Sequence, residues 1–225
     1  MRLSKVAMKR LVLLALAIAC LVPAMPAAAA EPERLSRTKA LAALKESDAD
    51  ERLRGALGLA IMGRMEDAPT LIIALHDADE RVRAVAEQAL WAVWSRSGDA
   101  RVDALFSKGV AEMGEQRFPE AIATFTRIIG LKPGFAEGWN KRATAYFLAG
   151  EYRRSLKDCD EVIKRNPQHF GVLSGYGQIY LHLEQPEKAL EYFRRALEVN
   201  PNLEGVQGLA ERLDSMIVRR HQRSI

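Results

Sequence analysis

Residues 139–146 read WNKRATAY, and Pro167 follows them. Moving outward, Pro133, Pro167 and Pro201 are spaced by 34 residues each, and other positions keep the same step. Leu105, Trp139 and Leu173 form one series; Phe125, Cys159 and Phe193 form another. Ala121, Ser155 and Ala189 keep a small residue, as do Gly109, Ala143 and Gly177, and Ile128, Val162 and Ala196 complete the set. Tyr146 matches Tyr180, with Glu112 the departure in the first unit. Small residues let two helices approach closely, and large ones fill the space between helix pairs. The prolines end the second helix of each unit, because proline cannot continue a helix and restrains the residue before it. One hairpin cannot bury both of its apolar faces, but three stacked hairpins can.

This pattern resembles the tetratricopeptide repeat (TPR) family, whose unit is a helix–turn–helix of about 34 residues. The segment from Trp139 through Ala143 and Tyr146 to Ser155, Cys159, Val162 and Pro167 carries it, as do Gly177, Tyr180, Ala189, Phe193, Ala196 and Pro201. The three units cover residues 99–203. Gly114, Gly150 and the pair Glu184 and Gln185 fall in the turns. Residues 204–225 are expected to form a capping helix and a basic tail, with Val206, Leu209, Leu213 and Ile217 on its apolar face.

Residues 31–98 repeat as well. The run from Asp48 to Arg54 recurs from Asp77 to Arg83, a step of 29. This resembles HEAT-like repeats, in which an Asp-rich turn opens a helix. Asp48 and Asp77 are expected as N-caps, with Glu51 and Glu80 as capping-box partners. The expected fold is therefore all-α: an α-solenoid of two HEAT-like repeats, three TPR repeats and a capping helix. The two sets are expected to stack directly through a joint at residues 95–99.

Residues 1–30 have the parts of a secretory signal. Arg2, Lys5, Lys9 and Arg10 precede an apolar run from Leu11 to Val22, then Pro23, Pro26 and the small residues Ala27–Ala30. Cleavage is expected after Ala28 or Ala30, with export to a compartment such as the periplasm. A retained anchor and lipidation at Cys20 are the alternatives. The chain has 33 Lys and Arg against 29 Asp and Glu; without the four cations of residues 1–30 the balance is 29 to 29. The overall positive charge is thus no argument for nucleic acid or an anionic membrane. Cleavage leaves only Cys159, read as a small buried residue.

No catalytic residue, metal or cofactor is expected. His76, His169, His182 and His221 do not pair at metal-ligand spacing, and no phosphate-binding glycine loop or nucleophile elbow is present. Trp91 and Trp94 are either an aromatic patch or, as favoured here, packing against the first TPR helix. The basic tail Arg219, Arg220, His221 and Arg223 reads as a solvated helix end.

The TPR resemblance implies a site of a different kind, because first helices of such repeats line a concave face where ligands bind. Carried over, the lining is Phe106, Val110 and Met113, then Asn140, Lys141, Thr144 and Phe147, then Ser174, Gln178 and His182, with Phe147 and Leu181 equally readable as packing. Some TPR proteins grip a peptide's terminal carboxylate with a clamp of Lys, Asn and Arg. The matching positions here are Phe106, Val110, Lys141, Gly171 and Gly175, and only Lys141 is a cation. The partner is thus expected to be a protein or peptide offering an internal apolar segment. Stable membrane insertion after cleavage is not expected. The leading function is a non-enzymatic scaffold or adaptor. One alternative is a HEAT-like lyase or its subunit, since these repeats also resemble those of bilin lyases. The other is a structural, self-associating component.

Overall fold

The computed structural model describes residues 35–222, the side chain of His221 excepted. The expected signal at residues 1–30 and the tail past residue 222 lie outside the described residues. Among those described there are eleven α-helices and no strand. The fold is an all-helical solenoid. A first block holds α1 (Arg37–Ala43), α2 (Ala49–Met62), α3 (Ala68–Ala74) and α4 (Glu80–Ser95). Three hairpins follow: α5 (Ala100–Gly114) with α6 (Phe118–Leu131), α7 (Ala136–Leu148) with α8 (Tyr152–Arg165), and α9 (Phe170–His182) with α10 (Pro186–Val199). Last comes α11 (Glu204–Gln222), which packs on α10.

The 34-residue step reappears in backbone detail. Gln116, Gly150 and Glu184 have φ of 59, 80 and 56°, the left-handed conformation that ends a first helix. The next amide of each turn reaches back five residues, from Arg117 to Glu112 O, Glu151 to Tyr146 O and Gln185 to Tyr180 O, at 2.8–2.9 Å. Only the second turn uses glycine; the other two hold a non-glycine residue there at a cost of about 1–2 kcal/mol. At the far end of each hairpin, Lys132, Asn166 and Asn200 are extended before their prolines, with φ of −142, −141 and −131°.

Each hairpin closes on a pair sixteen positions apart. Gly109 and Gly177 lie under the rings of Phe125 and Phe193, both fully buried. In the middle hairpin the pair is Ala143 and Cys159. Burial, then the nearby Asp158 charge, pushes the Cys159 thiol up to about 12, so it is an inert core group.

Trp139 departs from the expected core role. It is half-buried, and Arg142 and Arg165 lie over its ring at 5.1 and 4.9 Å. Its Nε1 donates to Pro133 O at 2.9 Å. The same register position holds Leu173, which is buried; the larger indole extends past the core and is covered by guanidinium groups.

In the first block, Asp48 caps α2, accepting from the amides of Asp50 and Glu51 at 2.9 and 3.0 Å. Glu51 turns to Arg54 instead of completing a capping box. The cap of α4 is Asp79, not Asp77. Asp77 is taken by a tertiary partner, since Arg52 binds both of its oxygens at 2.7 and 2.9 Å. A bidentate Arg–carboxylate pair outweighs the single amide bond of a cap.

The block does not stack on the first hairpin as expected. The chain turns at Gly98, φ 74°, and α4 makes little contact with α5. It packs instead against α7, the start of α9 and the turn after α10. The physical reason lies in what the two tryptophans of α4 meet there.

Candidate partner-binding face

The first helices α5, α7 and α9 are neighbours in the array. Their expected concave residues divide into three groups. Met113, Asn140 and Ser174 are buried. Phe106, Lys141, Thr144, Phe147, Gln178 and His182 are half-buried, and Val110 is 40% exposed. Phe106 packs edge-on against Phe125 and Phe135 at 6.1 and 5.7 Å, so it both supports the core and presents a ring edge. Thr144 donates to Asn140 O at 3.0 Å, within its own helix.

At the C-terminal end of the first helices, Phe147, Tyr152 and His182 form one aromatic group. Tyr152 and His182 stack at 4.8 Å, with the Tyr152 hydroxyl 3.0 Å from His182 Nδ1, and Phe147 meets the imidazole edge-on at 5.1 Å. Burial lowers the His182 pKa, which favours a neutral ring there.

The other end is closed by α4. Trp91 stacks edge-on against His169 and Phe170 at 5.5 and 5.2 Å. Trp94 lies parallel to His169 at 4.3 Å and is only 4% exposed. A Cβ placed on Gly171 would come within 2.4 Å of the Trp91 ring, so only glycine allows this approach. Lys141 Nζ also lies over that indole, 5.9 Å from its centre. Lys141 and Gly171, two of the clamp-matching positions, are thus both under Trp91. Gly175 has nothing within 4 Å of its missing Cβ. At Gly171 the group that meets the backbone is the chain's own indole.

Beneath the tryptophans lies a buried polar group that sequence reading missed. Glu137 is 1% and His169 0% exposed. His169 Nδ1 accepts from the Val172 amide at 3.2 Å, which leaves Nε2–H to donate to Glu137 Oε1 at 2.6 Å. Asn140 Nδ2 donates to both Glu137 oxygens at 3.0 Å, and Lys141 Nζ is 3.9 Å away. Burial alone would raise the Glu137 pKa; the His169 bond, then Lys141 and Asn140, outweigh it and hold the carboxyl below its ordinary range. The signal was available: His169 stands one step of 34 after the buried Phe135, so a polar residue occupies an apolar register position.

Comparison with known proteins adds the family context. A family model described as "Tetratricopeptide repeat" matches residues 177–203. A TPR repeat-containing protein of Rhizobium etli is 36% identical over 124 residues, covering 53% of this chain and 61% of that protein. Hsp70-Hsp90 organizing protein 1 of Glycine max is 28% identical over 111 residues, 48% of this chain and 19% of its own length. The chain therefore spans less than two thirds of these relatives. Among solved structures, the Sgt2 TPR domain of Aspergillus fumigatus aligns with a TM-score of 0.52 at 20% identity, over 55% of this chain and 83% of that one. The first TPR of Spaghetti (RPAP3), bound to the HSP90 peptide SRMEEVD, aligns with 0.51 at 22%, over 53% and 96%. These structural likenesses concern the fold.

Proposed function

Because the chain is a tetratricopeptide-repeat protein, we propose that it is a non-enzymatic adaptor that holds a segment of a partner protein on the face formed by α5, α7 and α9. The observation that carries this reading is that the face already buries a helix, with Trp91 seated on Gly171. The residues that α4 leaves open to a partner are Phe106, Val110, Thr144, Phe147, Gln178 and His182. Met113, Asn140 and Ser174 support them from beneath.

The chemistry of this face argues against gripping a terminal carboxylate. Lys141 is near Glu137 and under an indole, so its charge is already engaged. A carboxylate there would lose water without gaining charge-assisted bonds. The RPAP3 domain is bound to the acidic peptide SRMEEVD; this chain is proposed to prefer an internal apolar segment. Arrays of peptides with free and amidated C-termini are expected to bind the full chain equally well. Binding that vanishes on amidation would contradict this reading.

The adaptor is further proposed to act after export. The arrangement of residues 1–30 supports this, and the balanced charge of the remainder speaks against nucleic acid as partner. N-terminal sequencing of protein from its native host is expected to begin at Ala29 or Glu31. A lipidated Cys20 would replace export in soluble form with membrane anchoring.

A further inference from the structure

We propose that the seat of α4 is a second binding site, for a partner helix that carries the same stripe of side chains and displaces α4. This rests on the concave-face reading and specifies the partner's chemistry at its closed end.

The stripe is Arg83, Glu87, Trp91 and Trp94, spaced four, four and three residues apart and so on one face of a helix. Each member meets the array. Arg83 Nε donates to Asn202 Oδ1 at 2.8 Å, and Glu87 Oε2 accepts from Asn200 Nδ2 at 3.0 Å. Trp91 sits on Gly171, and Trp94 stacks on His169 beside Phe170. One bond comes from elsewhere in the block, Asn202 Nδ2 to Leu75 O at 2.8 Å. Recognition is thus a basic residue, an acid and two aromatic anchors from one helix, an arrangement used when an amphipathic helix lies in a groove.

Two features make displacement feasible. The block joins the array through Ser97 and Gly98, and α4 makes little contact with α5, so the seat and this joint carry the attachment. The seat is also imperfectly filled, because Trp94 Nε1 is buried without a hydrogen-bond partner. An unmet buried donor costs free energy. A partner with Phe in place of Trp94 keeps the ring stacking on His169 and removes that donor. The exchange trades that cost against part of the ring, so such a partner competes with α4 without a donor left unmet. Apparent affinity is reduced by the fraction of molecules in which α4 occupies the seat, so loosening α4 raises it.

The probe is a labelled peptide of residues 79–97 carrying Trp94→Phe, with Ala86→Lys and Val93→Lys for solubility at positions that α4 buries within the first block. Its binding to full-length chain is followed by fluorescence anisotropy. The chain variant Arg83→Ala/Glu87→Ala weakens the resident helix, and is expected to bind the peptide at least about tenfold more tightly than wild type. A peptide also carrying Trp91→Ala is expected to lose at least about tenfold. Equal affinity of both folded chains, or of both peptides, would overturn the proposal. Should the double variant unfold, wild type decides alone: saturating peptide is expected to raise amide exchange across residues 80–95, and unchanged exchange overturns the seat. Peptide binding without any native partner at the open residues would sink the adaptor reading and leave the seat standing. A native partner at those residues with no peptide binding would sink the seat alone.

Discussion

Trp94→Ala is expected to lower the unfolding free energy by about 3–5 kcal/mol, the range for truncating a buried aromatic. Trp139→Ala is expected to cost less, about 1–2 kcal/mol. The order follows from surroundings, not residue type. Trp94 is nearly buried, between His169, Phe170 and Trp91, and joins the first block to the third hairpin. Its loss opens a void where two parts of the chain meet. Trp139 is half-exposed and loses a hydrogen bond and two cation–π contacts, each worth about 0.5–1 kcal/mol at such sites. Trp94→Phe is expected to be mild, within about 1.5 kcal/mol, because it removes an unpaired donor along with part of the ring. Urea midpoints of the three variants check this. A larger loss for Trp139→Ala than for Trp94→Ala would contradict the placement of α4.

Gly177→Ala is expected to destabilise although alanine is the better helix former. The new Cβ would fall 2.3 and 2.4 Å from two carbons of the Phe193 ring. Overpacking of this kind costs about 1–3 kcal/mol, and the helix preference for alanine returns only about 1 kcal/mol. Phe193→Cys alone leaves a cavity and is expected to cost about 3–5 kcal/mol. The combination reproduces Ala143 with Cys159, which the middle hairpin already uses with both side chains buried. The double variant is therefore expected to be more stable than the sum of the single changes by about 1–3 kcal/mol. Strict additivity would show that the two positions do not share one space.

What the sequence revealed and what it hid have physical causes. The hairpins were legible because their contacts recur at a fixed step, so each series of 34 is an independent record of the same packing. The turn at Gly150 was legible as a glycine; the equivalent conformations at Gln116 and Glu184 were not, because nothing in those side chains announces a positive φ. Asp48 obeyed its local capping rule, whereas Asp77 was claimed by Arg52 from another helix. The folding of the block onto α7 and α9 was hidden for the same reason. It depends on Trp91 meeting Gly171 across the chain, a pairing that no local period encodes. Of the candidate face, the half-exposed ring edges follow from the register. The burial of Met113, Asn140 and Ser174, and the Glu137–His169 pair beneath the tryptophans, depend on neighbours supplied by other helices.

The central claim is that partner binding belongs to the face of α5, α7 and α9. It is tested most directly by placing a photo-crosslinking amino acid at Val110, at Phe147 or, as a control on the second helix of the middle hairpin, at Lys157, in the full chain in its native host. The account predicts a discrete crosslinked protein from positions 110 and 147 and none from 157. The same adduct from position 157, with none from 110 or 147, would contradict it.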